Sequence, residues 1–336
     1  MAVDYLSPDA SSNHWMRGAQ NDFWLPMHQL LDQLRRNKLA FFLLTNKSFR
    51  FFRRLGVFVT PVHYYTPIPD IREIDAIAGF WDRSSDLPGI AMRADEQRRV
   101  TEEILLRYRE ETDFPDQPTD CPHQYYATNG YFDYVSAVAM HSFIRYQRPT
   151  RVVEVGAGNS TYVIANAMCL NRKDGAPGEV TAIDPCPNPI LRGGIPGLDH
   201  LITKPVQAVG LAPFTALREG DILSIDTSHT VKTGSDVNFL YLEVLPRLAP
   251  GVLIHIHDIF LPLDYPENWL QRRIFWNEQY LLQAFLMFNQ EFDVVWGQRY
   301  VERVFPQLYT AIVAGRAEPA SNQQSFSFWL RRISSS

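Results

Sequence analysis

The chain has 336 residues, 46% of them hydrophobic, enough for one large domain with an extension or for two domains. A net charge of −5 and a pI near 6.0 leave no cationic excess for a phosphate backbone, so nucleic acid is not expected as a partner. Three widely spaced cysteines (Cys121, Cys169, Cys186) make neither a disulfide framework nor a metal knuckle and fit a reducing cytoplasm; MAVDYLSPDASSNHW lacks the basic-then-apolar order of a signal peptide, and no apolar run nears the roughly 20 residues that span a bilayer. The expectation is a cytoplasmic protein with no membrane partner.

Residues 24–55 carry helical spacing at Leu30, Leu31, Leu34, Leu39, Phe42 and Leu43. Within this stretch KSFRFFRRLG mixes four basic residues with three Phe. That composition reads as a helix packing its Phe face inward, with a membrane-surface or nucleic-acid helix as the other reading. TPVHYYTPIPD (60–70) is an ordered proline-rich loop around His63. DEQRRVTEEILLRYREET (95–112) reads as a charged helix with a solvated face, and DFPDQPTDCP (113–122) as a hinge. The expected division is 1–120, a helical lid or dimerisation region, and 121–336, an α/β domain.

From 133 onward apolar runs alternate with helical periodicity. Strands are expected at 151–156, 179–184, 200–207, 220–226, 251–258, 292–296 and 325–332, and helices at 133–147, 160–169, 235–248 and 275–289. Right-handed crossovers then give a doubly wound, mostly parallel sheet with ligands at the carboxyl ends of the strands. The fourth and fifth strands are taken to flank the switch-point cleft.

EVGAGNST follows the first strand and opens a helix. Gly156 and Gly158 allow a tight turn and close approach of backbone to ligand. A dinucleotide fingerprint would place glycine where Thr161 stands, and Glu154 suits a ligand bearing positive charge better than a pyrophosphate. Asp184, ending the second strand, is placed to accept from ribose hydroxyls.

On these residues the chain resembles a class I S-adenosylmethionine-dependent methyltransferase. It is similar in particular to a bacterial group across GVFVTPVHYYTPIPD, YFDYVSAVAMHSFIRYQRPTRVVEVGAGNST, GDILSIDTSHTVKTGSDVNFLYLEVLPRLAPGVLIHIHDIFLPLDYP and NEQYLLQAF. The resemblance implies a Rossmann-like, seven-strand sheet with its last strand antiparallel, behind an N-terminal mainly helical extension. It also implies methyl transfer from S-adenosylmethionine, with Glu154, Gly156, Gly158, Ser160, Asp184 and Asp226 at the cofactor. It implies no acceptor. The reading is a small-molecule O- or N-methyltransferase; a peptide or protein acceptor, or a non-catalytic S-adenosylmethionine-binding module, is the alternative. Homo-oligomerisation stays open.

IDTSHT puts Asp226 at the end of strand four and His229 three residues on, and HIHD puts His257 and Asp258 at the end of strand five. By resemblance to metal-dependent O-methyltransferases, Asp226, His257 and Asp258 would hold a divalent cation and His229 would be the general base. His257 stands where those families have a carboxylate, so a metal-free reading, with His229 and Asp258 orienting and deprotonating the acceptor, and a purely structural one stay open beside it. His255 reads as a core histidine satisfied by a neighbour. His63 is the second candidate base. Tyr125, Asn129, Asp264 and Tyr265 are the candidate acceptor contacts.

Overall fold

A computed structural model describes residues 42–43, 45–60, 65–316 and 325–333. His63 and the first part of the helix expected over 24–55 lie outside the described residues. The chain divides into two compact units, one ending at Phe80 and one starting at Trp81. In the first, helix α1 (Asn46–Arg54) opens on Thr45, whose hydroxyl accepts from Ser48 N, and Gly56 turns the chain at φ +76°. A short helix α2 (Ile71–Asp75) starts at Asp70, whose carboxylate accepts from Arg72 N. The Phe side of α1 does not pack inward: Phe49, Phe51, Leu55 and Phe58 are exposed. No described residue of this unit joins an apolar core cluster that could cover them.

The second unit carries helix α3 (Ala94–Val100), extended by a π turn and a 3-10 turn to Thr112, and helix α4 (Tyr134–Gln147), then alternates strand and helix. Its elements are β1 (Arg151–Val155), α5 (Asn159–Lys173), β2 (Glu179–Ile183), β3 (His200–Ile202), β4 (Ile222–Ile225) and α6 (Asp236–Phe239), which continues helically to Arg247. They are followed by β5 (Leu253–Ile256), α7 (Glu278–Leu286), β6 (Phe292–Gly297), α8 (Gln298–Val304), α9 (Pro306–Val313) and β7 (Phe328–Arg332). The sheet order is β3-β2-β1-β4-β5-β7-β6, with β7 antiparallel to both neighbours.

This is the expected Rossmann-like sheet, with one correction. The order reverses between β1 and β4, not between β4 and β5: β2 and β3 extend one side of β1, and the chain then crosses back so that β4 joins the other side. Helix α3 is solvated on one side only, since Gln97, Thr101, Ile104 and Leu105 are buried. Gln97 and Thr101 tie it to β6, accepting from Gly297 N at 2.8 Å and Trp296 Nε1 at 3.0 Å.

Alternation along each strand divides the core in two. Val152, Val180, Ile222, Leu253 and Trp329 face α4 and α5, while Val153, Val155, Leu223, Ile225, Ile254 and Ile256 face α6 and α7. The first face carries a polar row, because Glu154 is in register with Ser224 and Ser224 with His255. His255 is satisfied within the core, Nδ1 lying 3.0 Å from Ser224 Oγ and Nε2 2.9 Å from Ser327 Oγ. Burial, with His257 beside it, holds it well below its ordinary pKa, so it is neutral.

Candidate active site

The turn after β1 is built by a carboxylate beneath it. Glu154 is wholly buried on the α5 side of the sheet. Its two oxygens each lie 2.6 Å from a hydroxyl of the first turn of α5, Ser160 Oγ and Thr161 Oγ1. Thr161 Oγ1 also accepts from Gly158 N at 3.0 Å, closing the turn. Thr161 therefore has a role that a third glycine could not fill. Burial pushes the Glu154 carboxyl up to about 8 against the pull of the two hydroxyls, with Asp226 and Asp184 adding repulsion. Glu154 and Ser160 thus sit under the turn as struts.

Gly156 has φ +88°, and a Cβ there would lie 1.6 Å from the carbonyl oxygen of Asp226. Only glycine lets the β1 turn lie this close to the end of β4. A Cβ on Gly158 would meet nothing within 4 Å. Asp184 accepts from Ala157 N at 2.9 Å through Oδ2 and from Cys186 N at 2.6 Å through Oδ1, so one carboxylate fixes both the β1 turn and the β2 end. Gly156, Asp184, Asp226, Ser228, Lys232 and Ser235 are among the residues lining a cleft of about 410 Å³ at these strand ends. Its walls carry Asp184 and Asp226 against Lys232, an acceptor-rich lining that suits hydroxyls and a cationic ligand. These residues fit a nucleoside bearing ribose hydroxyls and positive charge.

The ends of β4 and β5 meet beside that cleft. His229 and Asp258 both hold left-handed backbone, φ +52° and +56°, a conformation uncommon outside glycine. His229 Nδ1 lies 2.8 Å from Glu278 Oε2, and Nε2 lies 3.2 Å from Asp226 Oδ1 and 3.9 Å from Asp258 Oδ2. The backbone is gripped too: His229 O accepts from Asn277 N at 3.0 Å and Glu278 N at 3.2 Å. Trp276 covers the imidazole, ring centroids 4.2 Å apart. Burial works against a charged His229, but Asp226 and Glu278 outweigh it and raise its pKa well above the ordinary value, so His229 is an imidazolium. Burial likewise opposes ionisation of Asp226, yet His257 and His229 hold its carboxyl below the usual range.

Asp258 differs. Burial pushes its carboxyl up to about 6, against the pull of His257 and His229. Its Oδ1 has no hydrogen-bond partner and lies 3.7 Å from His257 Nε2; neither ring nitrogen of His257 has a partner. Buried polar atoms are rarely unpaired, and here they cluster on one strand end. Among the described residues, no three His, Cys, Asp or Glu side chains are grouped to hold a metal ion. Asp226, His257 and Asp258 are not so grouped: the His229 ring stands between the two carboxylates, 3.2 Å from Asp226 Oδ1 and 3.9 Å from Asp258 Oδ2.

The candidate acceptor contacts are engaged in hydrogen bonds of their own. Tyr125 is buried and donates its hydroxyl to Phe132 O at 2.8 Å. Asn129 uses its whole side chain on the same loop, donating to Tyr126 O and Phe132 O and accepting from Tyr131 N and Phe132 N. Their joint effect is to seat Phe132, whose ring is 4.7 Å from that of His257. Asp264 accepts from Tyr280 Oη and lines a separate cavity of about 420 Å³ with Arg83 and Gln283. Tyr265 is buried, its hydroxyl accepting from Gln279 N at 3.1 Å. Sequence reasoning missed Glu278. The signal was present: on α7, Glu278 falls in line with Leu282 and Leu286, so a carboxylate opens an apolar stripe.

Comparison with known proteins finds a methyltransferase domain. A family profile described as a methyltransferase domain matches residues 153–259, from within β1 to just past β5. An uncharacterised protein of Archaeoglobus fulgidus is 35% identical over 179 residues, covering 51% of this chain and 78% of the relative. Among solved structures, the O-methyltransferase TomG of Streptomyces achromogenes aligns at 13% identity and a TM-score of 0.33, covering 73% of this chain and 97% of its own. The methyltransferase PaMTH1 of Podospora anserina, bound to S-adenosylhomocysteine, aligns at 14% identity and 0.38, covering 82% and 99%. The profile match, the sheet order and the turn built on Glu154, Gly156 and Asp184 converge: this chain carries a class I S-adenosylmethionine-dependent methyltransferase domain.

Proposed function

We propose that the protein methylates an oxygen or nitrogen nucleophile of a small molecule, with Asp258 as the general base and His229 as a fixed cation that orients it. The observation that carries this reading is the unpartnered Asp258 Oδ1 beside His257, at a strand end that also holds the imidazolium of His229. S-adenosylmethionine, when bound, supplies a methyl group on a sulfonium. Asp184 would receive the ribose hydroxyls, and the carboxylates of the cleft favour the cofactor's positive charge. An acceptor O–H or N–H directed at Asp258 Oδ1 loses its proton there, while His257 nitrogens take up its remaining polar edge. A base with a pKa of about 6 is ionised at neutral pH yet still basic enough to receive a proton. His229, carrying a proton already, is better suited to stabilise negative charge than to accept a second proton. No step is routed through a metal.

The test separates binding from chemistry. S-adenosylhomocysteine raises the melting temperature of wild type and of Asp258→Asn alike, while Asp258→Asn lowers turnover by about a hundredfold or more against a panel of phenols, alcohols and amines. Equal turnover in the two proteins would remove Asp258 as base. A melting temperature that responds to NADH and not to S-adenosylhomocysteine would overturn the cofactor assignment.

A further inference from the structure

The N-terminal unit carries a feature that methyl transfer does not use. Residues 33–69 contain seven Lys and Arg and no Asp or Glu, in a chain whose net charge is −5, so the remainder carries −12. Within this cationic stretch α1 separates its side chains by kind. At about 100° per residue, Phe49, Phe51, Phe52 and Leu55 fall on one arc and Lys47, Arg50, Arg53 and Arg54 on the opposite one. After Gly56 the chain folds back, Val57 N donating to Phe52 O at 3.0 Å, and the Phe58 ring stacks on Phe49 at 5.5 Å. The patch this makes is open: Phe51 is 56% exposed, Leu55 63% and Phe58 66%. Apolar side chains concentrated this way mark an interaction surface.

We propose that α1 and the Val57–Phe58 return form a docking surface for an anionic lipid bilayer, the helix lying in the plane of the interface. A bilayer surface receives both arcs at once. The acyl boundary takes the Phe and Leu side chains, and the anionic headgroups take the cations, whose long stems reach upward from a helix lying flat. A nucleic acid bound on the cationic arc would leave the Phe arc in water on the far side of the helix. A second copy meeting the same patch across a two-fold axis would bring two cationic stretches together. The cofactor cleft takes its residues from the other unit, so this surface and the transfer chemistry are separable by mutation.

The experiment uses the full chain and sedimentation with vesicles of phosphatidylcholine alone or mixed with phosphatidylglycerol. The expected result is binding to the mixed vesicles only, weakened by salt. The apolar pair Phe51→Ser/Leu55→Ser and the charge pair Arg50→Gln/Arg53→Gln should each lower the bound fraction about tenfold. A far-UV circular dichroism spectrum matching that of the wild type shows that these variants stay folded. Absence of binding to mixed vesicles overturns the proposal, as does equal binding to neutral ones. Wild-type binding by the apolar pair overturns it too. A fall in particle mass in the apolar pair without any lipid effect would assign the patch to contact between copies. RNA binding lost in the charge pair and kept in the apolar pair would assign it to nucleic acid.

Discussion

One carboxyl group in this site, Glu154, holds at neutral pH a proton that the unfolded chain would release, and it makes the first residue-scale prediction. Glu154 binds its proton up to about 8 when folded but only to about 4.5 when unfolded. The folded state therefore holds more protons across that window, and stability falls as pH rises through it, by up to about 1.4 kcal/mol per pH unit. Glu154→Gln keeps both hydroxyl contacts and has no proton to lose. Melting curves of the unliganded protein from pH 6 to 8 should fall with pH in wild type and run flatter in Glu154→Gln. Parallel curves would show Glu154 ionised. His229 has the same sign, its stabilisation being complete below its ordinary pKa and lost as pH rises through the elevated one, whereas that of Asp226 is lost as pH falls. Glu278→Ala strips the buried imidazolium of its nearest counter-charge and should cost about 3–5 kcal/mol; Glu278→Gln, which keeps a hydrogen-bond partner, should cost less and lower the pKa of His229. Titration of the His229 ring by NMR reads that second effect, and an unmoved titration would deny Glu278 its role. Glu278 also shows what a sequence conceals. A carboxylate opening a helix looks like a dipole partner in solvent, and only its line with Leu282 and Leu286 hints that it is buried.

At the scale of elements, the β1 turn separates two glycines that read alike in EVGAGNST. A Cβ at Gly156 collides with the backbone of Asp226, so Gly156→Ala must push β1 and β4 apart and should lose about 3 kcal/mol or more, seen as a fall in melting temperature or in soluble yield. Gly158→Ala has open space and should melt within about 3 °C of wild type. Matching losses at both positions would mean that the turn as a whole, not one backbone contact, is intolerant. The strands and α4, α5 and α7 were legible because apolar alternation and helical period are local properties. Strand order is not local, and the cleft was placed one strand too far along for that reason. Helices α8 and α9 went unread: ERVFPQLY puts a proline between them, at the start of α9, which breaks the period that would have announced one long helix. Tyr125 and Asn129 carry polar tips that a sequence reader assigns to a ligand, and here the loop itself consumes every one of those hydrogen bonds.

At the scale of the whole molecule, the apolar core of the described residues and the cleft at the strand ends belong to one unit and the cationic helix to the other. All three core clusters begin beyond Phe80, and the residues lining the cofactor cleft run from Val155 to Asp236. Folding of the sheet unit therefore has its own driving force, and ligand binding is linked to that unit's unfolding alone. A chain beginning at Trp81 should fold and bind S-adenosylhomocysteine with a Kd within about threefold of the full chain. At a ligand concentration of about 100 Kd, linkage adds about 2.7 kcal/mol, which for a unit of this size raises the melting temperature by roughly 5–10 °C. The same shortened chain should no longer sediment with anionic vesicles, since it lacks α1. Turnover of the shortened chain then tests His63: loss of methyl transfer with cofactor binding intact would make residues 1–80 necessary for the chemistry, whereas full turnover would exclude His63 as a base. Loss of the thermal shift itself would show that cofactor binding needs residues 1–80.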